Sequence, residues 1–245
     1  MIMLETRDLK KYFGRLEVLK GIDIRTSPGI TTAILGPNGS GKTTLLKCIL
    51  GQVRPDSGEI FIGGEPVLGK WEYRRSIGYL PQSSSFPENL KVSELIRLVE
   101  DIRGKGEKKN YLMDIFNLGS SLGKKVKNLS GGTRQKVNLL LTFMFDCPLY
   151  ILDEPASGLD PVAMIRFKEL IQSVKDQEKT ILVTTHIMGL AEEIADEVIF
   201  LLEGKVYFKG ALKDLLAHAG EYNLERAIAE IMMKQNGKNT EVQFV

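Results

Sequence analysis

Ile30 to Thr44 reads ITTAILGPNGSGKTT, an apolar run that closes in a glycine-rich turn and then in a lysine followed by two threonines. A strand, a loop and a helix start must follow one another here, which leaves few folds open. Gly36, Gly41, Lys42 and Thr43 satisfy the G-x-x-x-x-G-K-[ST] spacing, and Ile34 and Leu35 supply the strand before it. Glycines at 36, 39 and 41 permit backbone angles that a side chain forbids. The loop Gly36, Pro37, Asn38, Gly39, Ser40 and Gly41 can therefore turn its N–H groups, which all but Pro37 carry, inward around an anion. The helix beginning near Lys42, with Thr43 and Thr44 in its first turn, adds its positive end. Lys42 is placed to reach the β- and γ-phosphates of a nucleotide, and the Thr43 hydroxyl to ligate the Mg²⁺ that bridges them. The four fixed positions coincide by accident in about one chain in a hundred of this length.

At 245 residues the chain allows one or two domains and a sizeable core. Its composition, 43% hydrophobic and 26% charged, is ordinary for a soluble globular protein, and a net charge of +2 gives no electrostatic case for nucleic acid. No apolar run approaches the roughly 18 residues that span a bilayer. The opening MIMLETRDLKK meets an acidic residue too early for a secretory signal, so the expectation is a cytoplasmic chain. Cys48 and Cys147 lie in apolar surroundings without metal-ligand spacing and read as two reduced, buried thiols.

Leu4 to Lys11 and Val18 to Ile24 read as strands of an N-terminal antiparallel β layer. Tyr12 and Phe13 fall between them, before Gly14, where two adjacent aromatics suit a core as well as a ligand-facing edge. After the loop helix come strands at Glu59 to Ile62 and Ile77 to Leu80, the second ending in Pro81-Gln82. The texture then turns helical. Val92, Leu95, Ile96, Val99 and Ile102 mark one face of a helix, Tyr111 to Leu118 a second, and Thr133 to Phe145 a long apolar third opened by Leu129-Ser130-Gly131-Gly132. Residues 83–137 read as an inserted helical lobe. Further on, Val162 to Val174 reads as helix, Thr180 to Thr184 as strand, and Val198 to Leu202 with Lys205 to Phe208 as a hairpin. The expected division is a domain over 1–220 and, over 221–245, a closing helix from Tyr222 to Gln235 with a polar tail.

Leu149 to Leu152 is fully apolar, as in a central parallel strand, and stops abruptly at Asp153-Glu154-Pro155. In an open α/β sheet the carboxyl edge of the strands is where ligands bind. Asp153 there suits a Mg²⁺ role and Glu154 the polarising of an attacking water, although a helix-capping carboxylate has the same look. The strand at Thr180 to Thr184 runs into His186, one of two histidines, at the same kind of edge, which suggests a γ-phosphate contact; His218 has no such placement and reads as a surface residue.

With the phosphate loop, Gln82, LSGGTRQ at Leu129 to Gln135, YILDEP at Tyr150 to Pro155, SGLD at Ser157 to Asp160 and His186 in this order, the chain closely resembles the ATPase subunits of ABC transporters, from about Leu4 to Leu216. The LSGG element is the discriminating one, since other phosphate-loop ATPases and GTPases lack it. The implied fold class is α/β: a P-loop NTPase core sheet, an N-terminal antiparallel β layer and an inserted α-helical lobe. The resemblance makes Phe13 the adenine-stacking aromatic, with Tyr12 as its competitor. It makes Lys42, Gln82, Glu154 and His186 catalytic, and it gathers Thr43, Gln82 and Asp153 around Mg²⁺. Two such subunits meet head to tail over ATP. Ser130, Gly131 and Gly132 would then reach the γ-phosphate held by the other subunit of a homodimer, with Asp160 at the boundary. Departures are small: Ala156 and Lys91 stand where threonine is frequent in the family.

The same resemblance implies a separate transmembrane permease subunit, docked beside the lobe around Ser83 to Val92, no nucleic-acid partner, and a peripheral position on the inner face of the membrane. The lobe and Thr184 to Gly210 look most like single-cassette subunits of six-helix export permeases. The LSGGTRQKVNLLLTFMFD context is similar to that of the exporter ATPase serving copper-site maturation of nitrous-oxide reductase. The competing class is an ABC ATPase of DNA repair or of the ribosome. Repair ATPases insert long coiled coils, for which Gln82 to Leu129 is too short, and ribosome-acting chains carry two cassettes where this one has each motif once.

Overall fold

Leu4–Phe13 (β1) and Leu16–Thr26 (β2) form an antiparallel pair with Leu4 opposite Thr26 and Phe13 opposite Leu16. Ser57–Ile62 (β4) joins the other edge of β1, and Glu65–Pro66 (β5) completes a sheet ordered β2-β1-β4-β5. The computed structural model describes residues 2–83 and 85–240, without the side chains of His218 and of residues 234–240.

A second sheet holds six strands in the order β10-β9-β3-β8-β7-β6. Thr31–Leu35 (β3), Ile77–Leu80 (β6), Leu149–Asp153 (β7), Thr180–Thr184 (β8) and Glu197–Leu202 (β9) run parallel, and Lys205–Ala211 (β10) turns back along β9. Strands covered on both faces read as unbroken apolar runs, which is why β7 and β8 show no alternation in sequence. Successive side chains nevertheless part company. Ile34, Leu149, Ile151, Leu182 and Ile199 enter one core with the helix Lys42–Ile49 (α1) and the first sheet, while Leu35, Tyr150, Leu152, Val183 and Phe200 enter another beneath the remaining helices.

The second core also takes Val92–Arg103 (α2), Lys109–Ile115 (α3) and Gly131–Phe143 (α4), through Leu95, Leu112, Phe116, Val137 and Leu140. Each such leucine, fully buried, is worth about 1.5–3 kcal/mol. Lys91 precedes α2 and has no acceptor to offer as a cap; its own N–H donates to Glu94 Oε2 at 2.8 Å instead. Asn138 and Thr142 are buried polar residues of α4 that donate to the Pro81 and Tyr79 carbonyls, which fastens the helix to the β6 end. Pro161–Asp176 (α5), Met188–Ile194 (α6), Leu212–Ala219 (α7) and Leu224–Thr240 (α8) complete this side, with Leu224, Ala227, Ile228 and Ile231 buried. The α8 start is held to α6 by the Leu224 N–H donating to Glu192.

Three expectations change. Ile102, placed on the buried face of α2 by periodicity, is 73% exposed, because the helix outruns the lobe core before stopping at Gly104. The short α6 has no counterpart in the sequence reading, and α8 continues past Gln235 to Thr240. The end of the expected tail, 241–245, and the His218 side chain lie outside the described residues. Cys48 and Cys147 are buried free thiols, and burial pushes the Cys48 thiol up to about 11. No helix among the described residues is long and apolar enough to cross a membrane.

Candidate functional site

Because β3, β8, β7 and β6 are neighbours and parallel, the four segments that leave their carboxyl ends share one edge. These are the phosphate loop, Thr185-His186, Glu154 and Pro81-Gln82, so motifs far apart in sequence meet by topology alone.

The loop from Gly36 to Gly41 lies between β3 and α1. A Cβ at Gly36 would sit 2.2 Å from the Leu201 carbonyl oxygen and 2.7 Å from Ser40 Oγ, at φ +147, so no larger residue fits. Lys42 Nζ donates to the Gly36 and Pro37 carbonyls at 2.7 and 3.0 Å. Burial lowers its pKa, opposed by the charges of Glu154 and Asp153. The ammonium therefore sits within the field of both carboxylates, tied to the loop it must serve. Ser40 Oγ is buried without a protein partner, an orphaned hydroxyl of the kind a bound phosphate would satisfy. Thr43 is exposed toward solvent and Thr44 partly so.

Asp153 and Glu154 are both buried. Thr184 Oγ1 donates to Asp153 Oδ1 at 2.5 Å, and the Glu154 N–H reaches both the Thr184 carbonyl (3.1 Å) and Thr184 Oγ1 (3.2 Å). Glu154 has φ +52, an unusual conformation for a residue with a side chain and one found disproportionately at functional sites. Its Oε2 accepts the His186 N–H at 3.3 Å and lies 2.8 Å from His186 Nδ1. The His186 ring is otherwise 72% exposed. Gln82 is exposed at the end of β6.

Phe13 and Tyr12 differ in a way the sequence left open. Tyr12 donates its hydroxyl to Glu17 Oε1 at 2.7 Å, whereas Phe13 is 51% exposed. Lys11 Nζ, anchored by Asp56 at 3.1 Å, lies 5.3 Å from the Phe13 ring centroid. Tyr12, 41% exposed, is thus tethered through its hydroxyl, a tie that Phe13 cannot make.

Ser130, Gly131, Gly132 and Asp160 form a separate group. Ser130 caps α4, its Oγ accepting the Thr133 N–H at 3.2 Å. Gln135 Nε2 donates to the Pro155 carbonyl at 2.6 Å, and Lys136 Nζ pairs with Asp160 Oδ2 at 2.6 Å while Asp160 Oδ1 caps α5 through the Ala163 N–H. The Lys136 ammonium, then the Ala163 N–H, hold the Asp160 carboxyl below its ordinary value. A Cβ at Gly132 would stand 2.8 Å from the Gly158 carbonyl oxygen. No hydrogen bond or ion pair among the described residues joins this group to the phosphate loop. The sequence reading missed Thr184, Asn138 and Lys136. A lone asparagine within VNLLL was the one visible signal.

A family model described as "ABC transporter" matches residues 19–157. An ABC transporter ATP-binding protein of Synechocystis sp. is 33% identical over 217 residues, which cover 86% of this chain and 61% of that protein. The Nod factor export ATP-binding protein I of Rhizobium etli is 32% identical over 222 residues, 88% of this chain and 70% of that protein. The chain thus spans about two thirds of the length of these relatives. A solved structure of the ATP-binding subunit of an ABC transporter superposes with a TM-score of 0.87 at 32% identity, over 94% of this chain and 99% of that one. The chain belongs to the ABC transporter family and folds as its ATP-binding cassette.

Proposed function

We propose that the chain is the ATP-hydrolysing subunit of an ABC exporter, working as a head-to-tail pair that drives a separate membrane permease. The observation behind this reading is the shared edge at which Lys42, Asp153, Glu154 and His186 converge. ATP fits the loop: Gly36 to Thr44 offer N–H groups, the orphaned Ser40 hydroxyl and the Lys42 ammonium, which must leave the Gly36 and Pro37 carbonyls to meet phosphate. Phe13 stacks the adenine. Phe13→Ala should weaken ATP by about 1–3 kcal/mol, the scale of aromatic base stacking, while Tyr12→Ala, whose hydroxyl is engaged by Glu17, costs less; calorimetry on both variants decides the assignment.

Thr43, Asp153 and Gln82 offer the all-oxygen donors that suit Mg²⁺, and Asp153 keeps one carboxylate oxygen beyond the one bound by Thr184. Such an ion supplies charge neutralisation on the phosphates. Glu154 orients the attacking water. His186, held at 2.8 Å by Glu154, is placed to stabilise charge as the γ-phosphate departs. Ser130, Gly131 and Gly132 sit at the start of α4 and, among the described residues, share no hydrogen bond or ion pair with their own phosphate loop. They serve the nucleotide of the second subunit, with the α4 dipole behind them and Asp160 at the boundary.

For the permease contact we favour a groove beside the lobe over the Ser83 to Val92 stretch. Phe86 there packs against the lobe core, whereas a groove of about 1040 Å³ opens beside the lobe, lined among others by Trp71, Arg75, Ile102, Arg103 and Phe145. Trp71 and Ile102 are 57% and 73% exposed. Trp71→Ala with Ile102→Asp should release the subunit from native membranes while basal ATPase stays within about twofold, as expected of surface changes remote from the site. A double variant that stays on membranes overturns the docking site. Wild type that travels with nucleoid or ribosomes overturns the transporter reading itself.

A further inference from the structure

We propose that Thr184 is a positioning residue for the hydrolytic site: one hydroxyl group sets both the Asp153 carboxylate and the Glu154 backbone, so that metal binding and water activation depend on it together. This rests on the ATPase reading above and concerns a residue to which that reading gave no role.

The geometry is reciprocal. Thr184 spends its proton on Asp153 Oδ1 and its lone pair on the Glu154 N–H, while its carbonyl shares that same N–H. Asp153 and Thr184 are register partners in the β7·β8 ladder, and side chains of such partners stand next to each other on one face. The hydroxyl is fully buried, so neither bond competes with water.

Other buried threonines of this chain solve the same burial problem differently. Thr6 donates to the Ile22 carbonyl, Thr142 to the Asn138 and Tyr79 carbonyls, and Thr180 to the Ser27 carbonyl. Thr184, at the end of β8, alone among these donates to a carboxylate. Its hydroxyl occupies Oδ1 of Asp153 and leaves Oδ2 for a metal. It also fixes the residue at which the chain enters φ +52, from which the Glu154 side chain reaches His186. Groups that orient a metal-binding carboxylate typically change affinity or rate by about 10–100-fold when removed.

Thr184→Val keeps the shape and deletes both hydroxyl bonds; Thr184→Ser keeps the bonds and deletes a methyl. The decisive measurement is ATP binding by calorimetry in EDTA and in excess Mg²⁺, alongside kcat and KM. For Thr184→Val we expect ATP affinity in EDTA within about twofold of wild type, the gain in affinity on adding Mg²⁺ reduced about tenfold, and kcat lowered about 10–100-fold. Thr184→Ser should restore all three to within about threefold. Unchanged ATP affinity in EDTA also shows that the variant is folded. If Val matches wild type in Mg²⁺ and in kcat, or if Ser is as impaired as Val, the proposal fails. If Val alone loses ATP in EDTA the hydroxyl is only structural, if both variants do the methyl is needed for the fold, and either way the proposal fails. An Asp153→Asn variant with undiminished kcat also ends the proposal, whereas a wild type that binds ATP but does not hydrolyse it overturns the ATPase reading instead.

Discussion

Glu154→Gln is expected to bind ATP as wild type does, to lose turnover by roughly 10²–10⁴-fold, the usual contribution of a positioned base, and to accumulate as a dimer in Mg-ATP. Glutamine keeps the length and one acceptor oxygen, so the 3.3 Å bond from the His186 N–H can survive. What disappears is the charge and the basicity. Glu154 is buried and its backbone is pinned by Thr184, so the change should stay local rather than spread through β7. Size-exclusion chromatography with and without Mg-ATP, together with phosphate release, checks the result. Hydrolysis within a few-fold of wild type would remove Glu154 from the role assigned to it.

Lys42→Ala and His186→Ala should fail in different ways. On the proposed reading Lys42 supplies a charged donor to the phosphates already in the ground state, and bonds of that type are worth about 1.5–3 kcal/mol each. Its loss should weaken ATP at least tenfold to a hundredfold. His186 matters as charge builds on the departing phosphate. Its alanine variant should bind ATP within about threefold of wild type and lose about 10²–10³ in kcat. Lys42 is also the donor to two carbonyls of its own loop, so the melting temperature of Lys42→Ala must be read beside its affinity. Equal binding losses for the two variants, measured by calorimetry, would erase the distinction.

The phosphate loop, the Asp153-Glu154 pair and His186 were legible in the chain because each is a local device: a turn that only glycine permits, or a polar group that abruptly ends an apolar strand. Their convergence was legible too, since parallel strands deliver such ends to one edge. Thr184 was not. It reads as one more β-branched residue in TILVTT, and its importance exists only through a ladder partner 31 residues away. The Lys136–Asp160 and Gln135–Pro155 ties were hidden for the same reason. Ile102 shows the opposite limit: periodicity says which side of a helix is apolar, but not how far the neighbouring core extends along it. What looked like core is the lip of a groove. The tie of Tyr12 to Glu17 across a hairpin, on which the proposal of Phe13 as the stacking residue leans, was hidden likewise.

The two cysteines have a practical bearing on how motion here can be observed. Both are buried, and burial raises both thiols, Cys48 to about 11. Alkylating reagents attack thiolates they can reach, so at neutral pH the native chain should be nearly inert to maleimide. A single cysteine introduced at exposed Glu88 or Val162 would then carry a fluorophore or spin label without first stripping the protein of its own sulfur. With both positions labelled, the distance between the lobe and α5 could be followed through an ATP cycle.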